Sequence, residues 1–290
     1  MRYLFLCFAF VFFAFSTVAD AQEKEYSKPL FSNLSKLYWS LDKFRISDSE
    51  AVDNYMRINE CDIFRDYYFN EFEWRGIREK TRAFLENNKS TFNKRFEFAQ
   101  PLSLGEYDFN KGGFHVIEDQ KINATKRFQL YADDYGAEYC KINEVLRDYP
   151  NMLVVELNRP LSVDFIPVEE DRARTLVADK IKQFKEAKTK FQNRALLYQF
   201  RDAIYVMNLR FISMAGRDER ISQDGMAAQL RAVLEGIEVY TDSSRDELLY
   251  SLDFRRQQQS SPIVEEMRKR YEEQQKKKDA EREAGEAAAQ

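Results

Sequence analysis

The sequence predicts an α+β fold: N-terminal helices packed on antiparallel sheet, with a suggestion of two duplicated strand units, and a charged C-terminal tail. Three observations carry that expectation. Apolar residues recur at three- and four-residue steps from Leu30 to Leu85, the spacing of an amphipathic helix. At Arg95 the period changes to two, the signature of half-buried strands. From Arg255 onward apolar residues nearly vanish. The chain divides accordingly into residues 1–21, 22–92, 93–254 and 255–290: a leader, a helical region, a strand-rich region with a helix inserted near 169–190, and the tail.

The leader has the pattern of a secretory signal peptide. Met1 and Arg2 precede an apolar run from Tyr3 to Phe15, and Ala19-Asp20-Ala21 is an A-x-A cleavage site. The run is shorter than the ~20 residues needed to span a bilayer. Maturation is expected near Ala21 and Gln22, which places the product in a periplasm or outside the cell. No later stretch has membrane-spanning length, so no transmembrane segment is expected after cleavage.

In the helical region, Leu30, Leu34, Leu37, Tyr38 and Leu41 share one face. Ser47 or Asp48 supplies the next N-cap, and Ser47 with Glu50 fits a capping box. A helical stretch through Val52, Tyr55, Met56, Ile58, Ile63, Phe64 and Tyr67 follows, with a break near Cys61. A further helix from about Glu73 to Asn87 places Trp74, Ile77, Arg78, Thr81, Phe84 and Leu85 on one side.

Strands are expected at Arg95–Leu104, Phe114–Ile117, Arg127–Ala132 and Met152–Leu157. Phe96 to Leu104 lines up with Val155 to Val163: every apolar position matches in kind, and Glu, Pro, Leu and Ser recur in place. The likeness suggests duplicated strand units, with chance as the competing explanation for so short a match. Pro101 and Pro160 should bend, bulge or edge their strands. Glu169–Lys190 is helix-compatible. Ala195–Met214 is apolar in both phases over much of its length, the mark of a central strand. Leu230–Tyr240 is a strand kinked at Gly236, joined through Asp242 to Arg245 to Glu247–Phe254.

Composition narrows the chemistry. The net charge of −4 gives no basic surface for nucleic acid. Cys61 and Cys140 are the two cysteines left after the leader, and an oxidising compartment makes them a candidate disulfide. His115 is the only histidine and is read as a surface residue, so a histidine-based nucleophilic triad is poorly supported. Asp133-Asp134 and Glu169-Glu170-Asp171 are acidic clusters better read as loop and helix start than as metal ligands. Phosphate-binding and dinucleotide motifs are absent, and no cofactor or metal is expected. The least unreasonable catalytic acids are Glu97, Glu156 and Asp164, in or beside the repeated strands.

Phe72-Glu73-Trp74 with Ile77-Arg78, then Arg95-Phe96-Glu97-Phe98 and Leu104-Gly105-Glu106-Tyr107-Asp108-Phe109, resembles a family of signal-peptide-bearing bacterial proteins classed only as a domain of unknown function. The resemblance spans roughly Tyr26 to Phe254. It implies a bacterial envelope location and carries neither an activity nor site residues. The leading expectation is therefore an exported, non-enzymatic binding or structural module whose partner is a protein or envelope polymer. The alternative is a carboxylate-dependent hydrolase acting on envelope polymers.

Overall fold

The structure, a computed structural model, describes residues 25–134, 140, 146, 148–186, 201–215 and 227–255. The leader, residues 187–190 of the helix expected from the sequence, the strand start expected at Ala195 and the tail beyond residue 255 lie outside the described residues.

Four helices come first: α1 (Phe31–Ser40), α2 (Ser49–Asn59), α3 (Cys61–Tyr67) and α4 (Glu71–Asn88). Leu30 has no side chain with which to cap α1, and the missing acceptor comes from far along the chain. The Phe31 amide donates to Asp134 Oδ1 at 2.7 Å. Asp134 of the acidic pair thus has a structural task. α2 is capped by Asp48, which accepts from the amides of Glu50 and Ala51. Ser47 makes no such cap, because Asp48 occupies the position from which a side-chain oxygen reaches those orphan donors.

The strands are β1 (Arg95–Asp108), β2 (Gly113–Val116), β3 (Ile122–Tyr131), β4 (Met152–Val163), β5 (Phe165–Pro167), β6 (Asp202–Met214), β7 (Ala227–Tyr240) and β8 (Leu248–Asp253). Between β5 and β6 lies α5 (Glu170–Glu186). The strands form one curled sheet in the order β3-β4-β7-β6-β1-β2-β5, with β8 also on β7. Two strands change neighbours along their length. β1 pairs with β6 up to Ser103 and with β2 from Leu104, and β7 pairs with β4 up to Ala232 and with β8 from Gly236. The β4–β7 ladder is parallel, so the sheet is mixed rather than wholly antiparallel.

The aligned stretches of β1 and β4 use their repeat in the same way. Phe96, Phe98, Leu102 and Leu104 are buried, and so are their counterparts Val155, Leu157, Leu161 and Val163. Yet both belong to the same sheet, with β6 and β7 between them. The prolines differ in effect. Pro101 stays in register opposite Ile204, whereas the β3–β4 ladder is irregular between Glu156 and Leu161, the stretch that holds Pro160.

β6 is central, as its two apolar phases require. Tyr205, Met207, Leu209 and Phe211 are buried on one phase, with Val206 and Asn208 buried on the other. β7 is broken at its glycine. Leu209 pairs with Leu234 and Asn208 with Gly236, leaving Glu235 as an extra residue in a bulge. The buried phase switches there from Leu230, Ala232 and Leu234 to Ile237 and Val239.

The helices join the sheet through a core that includes Trp39, Tyr38, Tyr149, Phe96, Phe114 and Phe211, all essentially inaccessible. Tyr149 is the hinge of this packing. Its hydroxyl accepts from Trp39 Nε1 at 2.7 Å and donates to the Ala51 carbonyl at 2.8 Å, while the Tyr38 hydroxyl donates to the Pro150 carbonyl at 2.6 Å. Buried aromatic polar atoms are thereby all satisfied at the junction of α1, α2 and the start of β4. Burial raises the Tyr38 and Tyr149 hydroxyls well above the ordinary phenol range.

Candidate functional site

The three acids singled out in the sequence stand apart. Glu97 lies opposite Asn208, which lies opposite Gly236; Glu156 lies opposite Arg231 on the far side of β7. Three strand spacings of about 4.8 Å separate the two glutamates by about 14 Å, before their offset along β7 is added. Glycosidase acid pairs need roughly 5–9.5 Å. Asp164 sits in the β4–β5 turn, where its carbonyl accepts from the Val116 amide at 2.9 Å. Two of the acids also have cationic partners: Glu97 meets Arg245 at 2.7 Å and Glu156 meets Arg231 at 3.7 Å. His115 is about two-fifths exposed and lies 3.2 Å from Asp108 Oδ2, in edge contact with the Phe165 ring. Among the described residues, no three His, Cys, Asp or Glu side chains converge as a metal site would require.

Sequence reasoning missed the acid at the β7 bulge. Glu235 is 3 % exposed, and both its oxygens are occupied. Oε1 accepts from Arg210 Nε at 2.8 Å, and Oε2 accepts from the Tyr26 hydroxyl at 2.8 Å and pairs with Arg95 Nε at 2.9 Å. Burial and then the bond to Glu235 raise Tyr26 above the normal phenol range, so it remains a neutral donor. A cavity of about 200 Å³ lies alongside, lined also by Glu238 and Asp253. These acids are committed as well: Glu238 accepts from Asn208 and Tyr240, and Asp253 pairs with Arg255. This arrangement holds the amino-terminal segment and the bulge together. The only sequence signal was the phase break at Gly236.

A larger groove of about 580 Å³ lies between the β1–β2 turn and α5, floored by Tyr107, Phe109, Ala173 and Val177. Its rim charges are matched internally: Arg174 pairs with Glu170 at 2.8 Å, and Arg201 donates to the Gly105 carbonyl at 2.7 Å.

Among the described residues, the two most exposed large apolar side chains stand at the corner between α3 and α4. α2 ends at Asn59, Glu60 caps it, α3 runs Cys61–Tyr67, and Asn70 starts α4 by accepting from the Glu73 amide at 3.3 Å. Phe64 stacks on Tyr68 with ring centres 4.4 Å apart, and Trp74 meets both edge-on at 5.5 and 5.4 Å. Trp74 is buried and donates Nε1 to Asp53 Oδ1 at 3.0 Å. Arg78 clamps the same carboxylate with bonds of 2.7 and 2.6 Å. That carboxylate in turn holds the guanidinium firmly protonated.

On this base stand two rings left almost bare, with Phe69 meeting Tyr68 edge-on at 5.5 Å between ring centres. Phe69 is 91 % exposed and Phe72 is 88 % exposed, with Ile63, Tyr67 and Tyr68 partly exposed beside them. Helix geometry explains Phe72. Two residues on a helix are about 200° apart, so the turn that buries Trp74 drives Phe72 outward. Covering two phenylalanines is worth roughly 1.5–3 kcal/mol each, which folding leaves unrealised here.

Cys61 opens the same corner. Its sulfur lies 2.09 Å from that of Cys140, with Cα atoms 5.2 Å apart, a separation within the range that disulfides span.

Residues 48–179 match the model of a family described as a domain of unknown function (DUF4852). The match starts at the cap of α2 and ends within α5, so it contains the aromatic corner and leaves out β6, β7 and β8. It is narrower than the span expected from the sequence. No curated protein and no solved structure matches the chain.

Proposed function

We propose that this is an exported, non-enzymatic module that binds another macromolecule through the α3–α4 corner. The supporting observation is the pair Phe69 and Phe72, presented nearly bare on a scaffold fixed by Trp74, Asp53 and Arg78. Rigid exposed aromatics bury a large apolar area on contact with little loss of side-chain entropy, which is why they dominate protein interfaces. Export agrees with the Met1–Ala21 leader, and an oxidising compartment agrees with the Cys61–Cys140 pairing at the base of the corner. No helix among the described residues is long and apolar enough to cross a membrane.

The test is photocrosslinking in cells that make the protein natively. A benzoyl-phenylalanine at position 72 should give a discrete adduct, and the same probe at Tyr131, on edge strand β3, should not. Adducts that are equal at both positions, or absent at 72, would remove the corner as the binding surface.

A further inference from the structure

We infer that the corner's partner is a protein segment rich in lysine or arginine with apolar residues between them; this rests on the reading of the corner as a binding surface. Five exposed acids flank the rings along the chain: Glu60, Asp62, Asp66, Glu71 and Glu73. Arg65 and Arg75 oppose them over the same stretch, and Arg57 lies 5.9 Å from the centre of the Phe64 ring; Arg65 is already engaged by Asp62 at 2.8 Å and Asp66 at 3.2 Å. The helix starts account for some of this negative charge, because acids in a first turn offset the helix dipole. They do not account for the bare Phe69 and Phe72 in its midst, and the combination has a chemical meaning.

An aromatic face attracts a cation through its quadrupole, and carboxylates that flank it add Coulomb attraction. Such a surface repels nucleic acid and anionic lipid, both of which want basic residues beside the inserting rings. It fits a basic amphipathic segment, whose apolar residues cover Phe69 and Phe72 while its lysines and arginines meet Glu60, Glu71 and Glu73. Electrostatic steering would make the association fast and salt-sensitive.

The experiment is selection of randomised displayed peptides on the full-length mature protein with its disulfide intact. Recovered peptides are then measured against wild type and against Phe69→Ser/Phe72→Ser at low and high salt, alongside phosphatidylglycerol vesicles. Enriched peptides should carry several Lys or Arg beside apolar residues. They should bind the double variant at least about tenfold more weakly and lose affinity as salt rises. Acidic or uncharged peptides that still depend on Phe69 and Phe72 would overturn the basic partner while leaving the corner a binding surface. An empty selection, or binding to the vesicles instead, would overturn the basic partner too. Peptides indifferent to the double substitution would overturn both readings.

Discussion

The Trp74 indole donates to Asp53 Oδ1 across 3.0 Å, tying the first turn of α4 to the middle of α2. Because Arg78 holds both oxygens of the same carboxylate, α4 is fixed in rotation as well as position. Fixing that rotation aims Phe72 at solvent. Asp53→Ala should therefore leave Trp74 and Arg78 without their shared acceptor and cost about 2–4 kcal/mol, read from the urea midpoint. Asp53→Asn keeps an acceptor for Trp74 and should cost less. Equal midpoints for wild type and Asp53→Ala would mean the clamp does not hold α4.

Phe69→Ser and Phe72→Ser should behave in the opposite way. Both rings are almost wholly exposed, so thermal stability should stay within about 0.5 kcal/mol of wild type. A loss comparable to the roughly 3–5 kcal/mol expected for Trp74→Ala would show that the rings serve the fold instead.

The Cys61–Cys140 link closes a loop with a sequence separation of 79 residues. By the chain-entropy argument, Cys61→Ser with Cys140→Ser should cost at most about 4–5 kcal/mol. Comparison of denaturation midpoints with and without reductant, in wild type and double variant, checks this. Wild type should fall to the variant's value on reduction, and the variant should not move.

Gly113 sits where β2 meets β5. A Cβ there would run into the Ile166 carbonyl oxygen and the Phe165 ring. Gly113→Ala should loosen the β2–β5 ladder, seen as faster amide exchange at its partners while α1 and α2 keep their protection.

Alkaline pH should unfold the protein through its buried tyrosines. Burial raises Tyr38 and Tyr149 in the folded state above the value of about 10 that they have when unfolded. The neutral phenol is the form the fold accepts. Stability is thus fully present below about pH 10 and is lost as pH rises through the folded values. Phenolate absorbance from these two tyrosines should grow only as the helical circular dichroism disappears. Their ionisation with the dichroism intact would contradict their burial.

Much of the fold was readable from periodicity, because alternation and three-to-four spacing report directly on which residues face a core. The face of α1, the central place of β6 and the break at Gly236 are of this kind, and so is most of the α4 face, from which Phe84 departs by being 47 % exposed. What was not readable depends on contacts distant in sequence. Tyr149, between the strands expected at Arg127–Ala132 and Met152–Leu157, is a core residue because Trp39 and Ala51 come to it. Asp134 caps a helix 103 residues away. The parallel β4–β7 pairing has no local signature, since either direction satisfies the same apolar pattern. The candidate site was half visible. Phe72 falls off the face defined by Trp74, Ile77 and Thr81, and an aromatic out of phase with its own helix was the available signal. The acids chosen from the repeat were misleading as a pair, because like positions in two strands of one sheet need not be neighbours.

Hydroxyl-radical footprinting of Phe69 and Phe72, in intact producing cells and in the purified protein, bears most directly on whether the corner is a binding surface. Both rings should label heavily when purified and be strongly protected in the cell, while Tyr131 labels alike in the two. Equal labelling of Phe69 and Phe72 in both settings would mean that nothing covers the corner where the protein works.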